Sequence, residues 1–248
     1  MGQIVDQALA AFLRRLQLHS DFNDEERSAI LALPGVAREV DGNREVVRPG
    51  DATIKSCLVA KGLLARFDRM RDGSKANTAL HIPGDMCDLQ SVVSPVAGWG
   101  IVALSRAVVV DVPHAALKTI SMQFPAIALA FWRDTAADAA ILSKWVAYLG
   151  RKDATARIAH LFCEIGYRME EAQIGTRRAY ALAISQEQLG DTIGLTSVHT
   201  NRVIRKLREA GTVDFTSRHV EVLDLDRLMS IAEFDPAFLR VPHARLDS

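Results

Sequence analysis

Residues 184–211 read ISQEQLGDTIGLTSVHTNRVIRKLREAG, from Ile184 to Gly211, and they decide the reading of the whole chain. Ser185 is a good helix N-cap, and Gln188 three residues later completes an S-x-x-Q capping box. Leu189 and Ile193 then share one helix face at i, i+4. Gly194 stands where this helix must stop and turn sharply, a place that favours left-handed backbone. Leu195 plugs the turn and Thr196 can cap a second helix. Val203, Ile204 and Leu207, with Thr200 at its start, form the inner stripe of that helix. Ser197, Val198, Asn201, Arg202 and Arg205 fall on the opposite face. One face is thus apolar, and the other is short polar plus cationic. That division suits a helix laid against base edges flanked by phosphates, so the segment reads as a helix-turn-helix. An amphipathic helical hairpin in an unrelated fold is the competing reading of these residues taken alone.

The flanks favour the first reading. Tyr180–Ile184 reads as a short strand. Thr212–Phe215 and His219–Leu223 read as two strands around a Thr216-Ser-Arg218 turn. Strand, helix, turn, helix and hairpin is the order of a winged helix.

The chain has 248 residues, 49% of them hydrophobic, and no formal net charge. A nucleic-acid coat would be strongly basic, so any contact with DNA must be local. It is local, because Arg202, Arg205, Lys206 and Arg208 crowd one short helix before Glu209. The three cysteines at 57, 87 and 163 form no C-x-x-C, which argues against a disulfide scaffold or zinc knuckle and fits a reducing cytoplasm. The seven histidines are scattered, so no metal site is expected. There is no signal-peptide pattern and no apolar run of membrane-spanning length. Ser/His/Asp sets, H-E-x-x-H and Gly-rich phosphate loops are all missing, so an enzyme is not expected.

Ahead of the winged helix the texture changes twice. Ile4, Leu9, Phe12, Leu13 and Leu16 mark one helix; Asn23 with Glu26 caps a second, ending before Pro34. From Val40 to Pro113, short β-rich runs alternate with Gly/Pro turns about every ten residues, the texture of an antiparallel sandwich or barrel. Asp72-Gly73 between Leu63–Phe67 and Thr78–Leu80 is a hairpin signal. Val108–Val112 reads as a last, buried strand. Pro113 and Pro125 bracket a short helical piece. A long helix then runs from Ala126 to about Leu149. Phe131, Thr135, Asp138, Leu142, Trp145 and Leu149 step along it in the four-three spacing of a coiled-coil seam, with Trp132, Ile141 and Tyr148 widening the apolar surface. A helix this apolar needs its own β domain and a second copy of itself to bury it; an intradomain core helix is the alternative. Gly150–Asp153 is the expected hinge. Ala154–Glu171 is a further helix with Ile158, Leu161, Phe162 and Ile165 inward. The expected organisation is a β-roll sensor unit with N-terminal helices over 1–124, a dimerisation helix over 125–150, and a winged-helix unit over 151–248 whose helix-turn-helix spans 185–209. The fold class is α+β.

In this arrangement the chain resembles the Crp/Fnr family of bacterial transcription regulators over nearly its whole length. The strongest match is Gln186–Ile204. A looser, ordered match runs through Pro49-Gly-Asp51, Gly62, Asp72-Gly73, Pro83-Gly-Asp85 and Cys87-Asp-Leu89. The resemblance implies a cyclic-nucleotide-binding-like jelly roll whose effector zone falls on Gly84, Asp85, Cys87, Asp88 and Ala97. Family members that bind cyclic AMP use a Glu for the ribose hydroxyl and an Arg for the cyclic phosphate. Here those positions hold Asp85 and Ala97, and a buried phosphate without its guanidinium loses a charge-assisted, often bidentate pair. The N-terminal cysteine cluster of iron–sulfur oxygen sensors is lacking. A haem ligand at His81 or His114 stays open, although a lone histidine is more often structural. Cys87 admits a redox role, but the flanking Asp85 and Asp88 are expected to raise its pKa and slow oxidation.

The expected function is a cytoplasmic, homodimeric, sequence-specific regulator on a near-palindromic operator, its half-sites one helical turn, roughly 34 Å, apart. No cofactor is expected. The partners are double-stranded DNA, a second copy and, by resemblance, RNA polymerase; the small-molecule effector is unidentified. Arg202 is the guanine-reading candidate. By resemblance, Ser197, Val198 and Asn201 take the other base-facing positions, while His199, Arg205, Ser185 and Gln186 hold phosphates. Thr196 and Lys206 complete the DNA-facing set. Val198 stands where the family prototypes carry a base-reading Glu, so their operators do not transfer. The alternatives are a cyclic-nucleotide-responsive regulator and a ligand-sensing β-barrel module that binds no DNA.

Overall fold

The computed structural model describes residues 2–240; Met1 and the last part of the expected C-terminal unit, 241–248, lie outside the described residues. Helix α1 (Gly2–Gln17) buries Ala8, Leu9, Phe12, Leu13 and Leu16 along one face. Helix α2 (Asp24–Leu31) starts at a reciprocal Asn23/Glu26 capping box.

Seven strands follow: β1 (Val36–Val40), β2 (Glu45–Val47), β3 (Lys55–Lys61), β4 (Leu64–Arg69), β5 (Lys75–His81), β6 (Gly100–Ala103) and β7 (Ala107–Pro113). They form two antiparallel sheets, ordered β1-β7-β3 and β2-β6-β4-β5. The β4–β5 hairpin turns through Gly73, and its register sets Leu64 against His81. Val109, Val110 and Val112 of β7 are fully buried, as a central strand with both faces covered requires.

Helix α3 (His114–Gln123) leads into the 27-residue helix α4 (Pro125–Arg151), with Pro125 in the first turn. Pro fits there because the first helical N–H groups have no partner in any case. The helix runs through Gly150, contrary to the expected break at that residue. The chain turns instead at Lys152 and Asp153, both extended, and Asp153 caps helix α5 (Ala154–Glu171).

Strand β8 (Ala179–Ala181), helices α6 (Gln186–Ile193) and α7 (Ser197–Glu209), strands β9 (Val213–Thr216) and β10 (His219–Val222), and helix α8 (Leu225–Ala232) follow. Their sheet has the order β8-β10-β9. Only 179–181 of the expected 180–184 strand pairs. Leu182 and Ile184 are buried all the same, in the apolar core that Leu189 and Ile193 of α6 also enter. A short 3-10 turn, Pro236–Leu239, lies beyond α8.

One apolar core runs without interruption from Leu63, Phe67, Leu80 and Leu104 of the β-roll, through Ile141 and Trp145 of α4, to Leu189, Ile204 and Phe215 of the winged helix. A second core joins α1, α2 and α3 to the β3/β7 sheet and to Phe131 of α4. The sandwich interior, around Val59, Leu64, Ile101 and Val109, forms the third.

The seam expected on α4 is out of register. Phe131 packs on Phe12 at 5.9 Å between ring centroids, Trp145 donates its indole N–H to Glu164 at 2.6 Å, and Asp138 pairs with Arg15 of the same chain. These three positions face the chain's own core. The exposed apolar face is rotated from them: Leu129, Trp132, Ala136, Ala139, Ser143, Val146 and Gly150 are all exposed. They step by alternating three and four residues, and Trp132 and Val146 are each 72% accessible. Two heptad patterns coexist on this helix, and only packing reveals which one the protomer consumes.

Candidate nucleic-acid interface

Local chemistry builds the helix-turn-helix. Ser185 Oγ accepts from the Gln188 N–H at 3.1 Å, and Gln188 Oε1 accepts from the Ser185 N–H at 2.8 Å. Gly194 ends α6 in left-handed backbone at φ 68° and ψ 41°. A second glycine, not singled out from the sequence, matters as much. A Cβ on Gly190 would lie 2.5 Å from the Leu195 carbonyl oxygen, so only glycine lets the turn close onto α6. Its signal was the L-G pair inside an otherwise good helix. Thr196 caps α7, accepting from the His199 N–H at 3.3 Å.

Thr200, Val203, Ile204 and Leu207 of α7 are buried. Ser197, Val198, His199, Asn201, Arg202, Arg205 and Lys206 are exposed on the outer side with Thr196. Arg202 and Lys206 have no ion-pair partner among the described residues, whereas Arg205 lies 3.9 Å from Glu209. Arg208 is withdrawn from this set, because its guanidinium pairs with Asp214 of β9 at 2.7 Å and ties the helix to the wing. Gln186 borders the same open groove as Val198, Asn201, Arg202 and Arg205. Ser185 instead borders a cleft shared with Asn43, Ser105 and Arg106 of the β-roll, and its hydroxyl is engaged in the cap. The structure therefore brings Gln186, Val198, Asn201, Arg202 and Arg205 to one groove, leaves Thr196, Ser197, His199 and Lys206 exposed on the same helix and its cap, and turns Ser185 toward the roll.

Contacts to the roll hold that unit in place. Gln188 Nε2 donates to Asn43 Oδ1 and to the Leu104 carbonyl, both at 3.0 Å. Asn77 Nδ2 donates to Thr192 Oγ1 at 3.1 Å. Gln188 thus closes the capping box with its oxygen and binds the β-roll with its nitrogen, a second role that spacing alone could not disclose.

The residues of the expected effector zone are not brought together as a set. Gly84 has φ 99°, and its turn packs on the backbone of Ala11 in α1. Ala97 exchanges backbone hydrogen bonds with Gly50 and Asp51. Asp85 is buried and already engaged twice within the chain, by Arg15 Nη1 at 2.8 Å and by Arg168 Nη2 at 2.6 Å. Arg15 also reaches Asp134 at 2.6 Å and Asp138 at 2.8 Å. Arg168 reaches Glu164 at 2.9 Å and donates to the Leu80 carbonyl at 3.0 Å. One network of ion pairs thereby joins α1, the turn after β5, α4 and α5. Burial alone would raise the Asp85 pKa, but the two guanidinium groups hold it below the ordinary carboxylate value. Asp134 has only Arg15, so burial prevails and pushes its pKa up to about 6. Arg15 and Arg168 escaped the sequence reading because nothing local distinguishes them from solvated helix-end arginines.

Cys87 is fully buried and its thiol pKa is raised, in the expected direction. Burial is the leading cause and the facing thiol of Cys57 the next; the aspartates that sequence reasoning made responsible come last. Asp88 accepts from the Cys57 N–H at 2.6 Å, and burial pushes its own pKa up to about 6. His114 is bonded to Ser91 Oγ at 2.8 Å. His81 is buried with its pKa driven down to about 4, chiefly by burial and then by Arg66. No cluster of three or more metal-ligating side chains occurs among the described residues.

A β-roll, a long helix and a winged helix with a cationic outer face define a DNA-binding regulator. The description "Crp-like helix-turn-helix domain" matches residues 156–231. Over 220 residues, 89% of this chain and 90% of the relative, the sequence is 21% identical to the transcriptional activator protein FnrA of Stutzerimonas stutzeri. It is 23% identical over 185 residues to the transcriptional activator protein anr of Pseudomonas aeruginosa, covering 75% of each chain. Among solved structures, FixK2 from Bradyrhizobium japonicum shares the fold with a TM-score of 0.73 at 23% identity, over 80% of this chain and 98% of that one. Residues 156–231 thus match a Crp-like helix-turn-helix domain, and over most of its length the chain is similar to DNA-binding transcription regulators of the Crp/Fnr family. Among the described residues no helix is long and apolar enough to cross a membrane.

Proposed function

We propose that the chain acts in the cytoplasm as a homodimer that reads a near-palindromic operator through α7, without catalysis. The carrying observation is the exposed heptad face of α4. Leu129, Trp132 and Val146 are too large and apolar to be left to solvent along one stripe. Ala136, Ala139, Ser143 and Gly150 between them permit two helices to approach closely. Pairing of two parallel α4 helices would relate two α7 helices by a two-fold axis, as half-site reading requires.

Within α7, Arg202 is the guanine reader, bidentate to O6 and N7, and Val198, 69% accessible, meets a thymine methyl. Ser197 and Asn201 take the remaining base edges. Thr196, His199, Arg205, Lys206 and Gln186 line the phosphate path. RNA polymerase is the expected protein partner. An effector remains part of the reading, but not a cyclic nucleotide gripped by Asp85, since two arginines already hold that carboxylate. Gating by such an effector has to pass through the ion-pair network rather than through an open ribose site.

Trp132→Glu with Val146→Glu tests the reading, since both side chains project from the protomer. Sedimentation is expected to change from dimer to monomer, with intact circular dichroism and at least a hundredfold loss of affinity for a selected palindromic duplex. A variant that stays dimeric and binds normally overturns the α4 interface.

A further inference from the structure

The Crp-like match ends at residue 231, yet the chain continues across the hinge between α4 and α5. Covalently, α4 and α5 meet only through the two extended residues Lys152 and Asp153, a link that leaves their angle soft. Residues 233–240 bridge both helices beside that link. Glu233 ends α8 in left-handed backbone, φ 48° and ψ 47°, an uncommon conformation for a residue with a side chain. From there its carbonyl accepts from Tyr148 Oη at 2.9 Å and its carboxylate pairs with Lys152.

The next residues continue the bridge. Asp235 caps the 3-10 turn, which seats Phe238 against His160 of α5, at 5.7 Å and 23° between the rings, with Lys144 Nζ of α4 5.5 Å from the ring centre. Phe234 lies 5.3 Å from both His160 and Tyr167. Tyr148 stacks on His160 at 4.0 Å. Arg240 pairs with Glu171 at the far end of α5 at 3.1 Å. On α4 the bridged residues are 144 and 148, at i and i+4, followed by Lys152 in the link itself; on α5 they are 160, 167 and 171.

We propose that residues 233–240 are a strap that, together with the Gln188 and Asn77 contacts to the roll, fixes the α4–α5 angle and thereby sets the half-site spacing the dimer accepts. The inference rests on the dimeric reading above. Because α7 is carried on α5 while the two-fold axis runs along α4, this angle sets the separation of the two recognition helices. A few degrees at the hinge become ångströms at the groove, where one base pair is about 3.4 Å. His160 fits the role. It is buried with neither ring nitrogen hydrogen-bonded, its Nε2 standing 3.6 Å from Glu164 of the same helix, so it packs against the strap as an aromatic surface.

The test uses a palindromic duplex selected from random DNA, then rebuilt with the spacer lengthened or shortened by one and two base pairs. The full-length protein is expected to prefer one spacing by at least tenfold. Tyr148→Phe with Phe238→Ala, which leaves Phe234 and α8 intact, is expected to reduce that preference at least threefold while affinity for an isolated half-site stays unchanged. Should this variant fail to fold, Tyr148→Phe with Phe238→Leu makes the same comparison with less cavity. An unchanged spacing profile in a folded, dimeric variant overturns the strap. A full-length protein indifferent to spacing overturns the two-half-site reading itself.

Discussion

The outer face of α7 and the buried cluster around Asp85 are both polar and charged, and they are opposites in every other respect. On α7 the side chains of Ser197, Val198, His199, Asn201, Arg202, Arg205 and Lys206 are exposed, and Arg202 and Lys206 have no ion-pair partner among the described residues. Around Asp85, three carboxylates converge on Arg15, and two on Arg168, at 2.6–2.9 Å, largely shielded from solvent. The first surface is incomplete without another molecule, whereas the second completes itself. Unsatisfied charge at a surface costs little and stays available for phosphates; unsatisfied charge in a core is not tolerated. The comparison separates where the protein meets DNA from where its parts are held to one another.

The contrast breaks most visibly at Arg168. Arg168→Ala removes one of the two guanidinium partners of Asp85 and the arginine partner of Glu164 in the core, and is expected to cost about 3–5 kcal/mol in urea unfolding. A loss below about 1 kcal/mol would mean that water or Arg15 already satisfies both carboxylates. His160 comes next. Burial drives its pKa down to about 4, with Lys144 adding to the effect, from an unfolded value near 6.5. It is the folded state that resists the proton, so this contribution is fully present above pH 6.5 and is lost as pH falls toward 4. Asp134 and Asp88, raised to about 6, work the other way over the same window. Only a difference between variants therefore isolates the histidine. Unfolding of His160→Phe should lose on the order of 2 kcal/mol less than the parent chain between pH 7 and 4.5; parallel curves would place the histidine in contact with water.

Arg202 should behave in the reverse manner to Arg168. Arg202→Ala is expected to leave thermal unfolding unchanged and to weaken operator binding by about 1–3 kcal/mol, with relaxed preference at one base position. Equal losses on operator and random DNA would make Arg202 a phosphate contact instead. The smallest effect is Gly194→Ala, at about 1 kcal/mol of stability. A methyl there meets only ordinary contacts, 3.7 Å or longer, so the penalty comes from the left-handed backbone. A neutral result would show that the turn relaxes.

The helix-turn-helix was legible because its determinants lie within a few residues of one another. The Ser185/Gln188 box, Gly194, the Thr196 cap and the Val203/Ile204/Leu207 stripe are each a local rule. So were the turn spacing of the β-roll and the length of α4. The face of α4 that would meet a partner was not legible. Phe131, Asp138 and Trp145 satisfy a heptad as well as Leu129, Trp132 and Val146 do, and choosing between them requires knowing that Phe12, Arg15 and Glu164 arrive from elsewhere. The same holds for Arg15 and Arg168, which lie 70 and 83 residues from Asp85 in the chain. Gly190 was missed for a related reason: its constraint comes from the Leu195 carbonyl folding back onto it.

The sequence by itself determined the class of the protein, a winged helix on a β-roll, and the polarity of the face offered to DNA. These follow from periodicity, capping and backbone freedom, which act over a few residues. Tertiary structure alone decided that Asp85 is held by the chain's own arginines, which stripe of α4 remains uncovered, and how the segment after α8 spans the hinge. Those outcomes depend on burial, and burial is a property of which distant segments meet: the same carboxylate is a ligand site when open to solvent and a structural pin when two guanidinium groups reach it first.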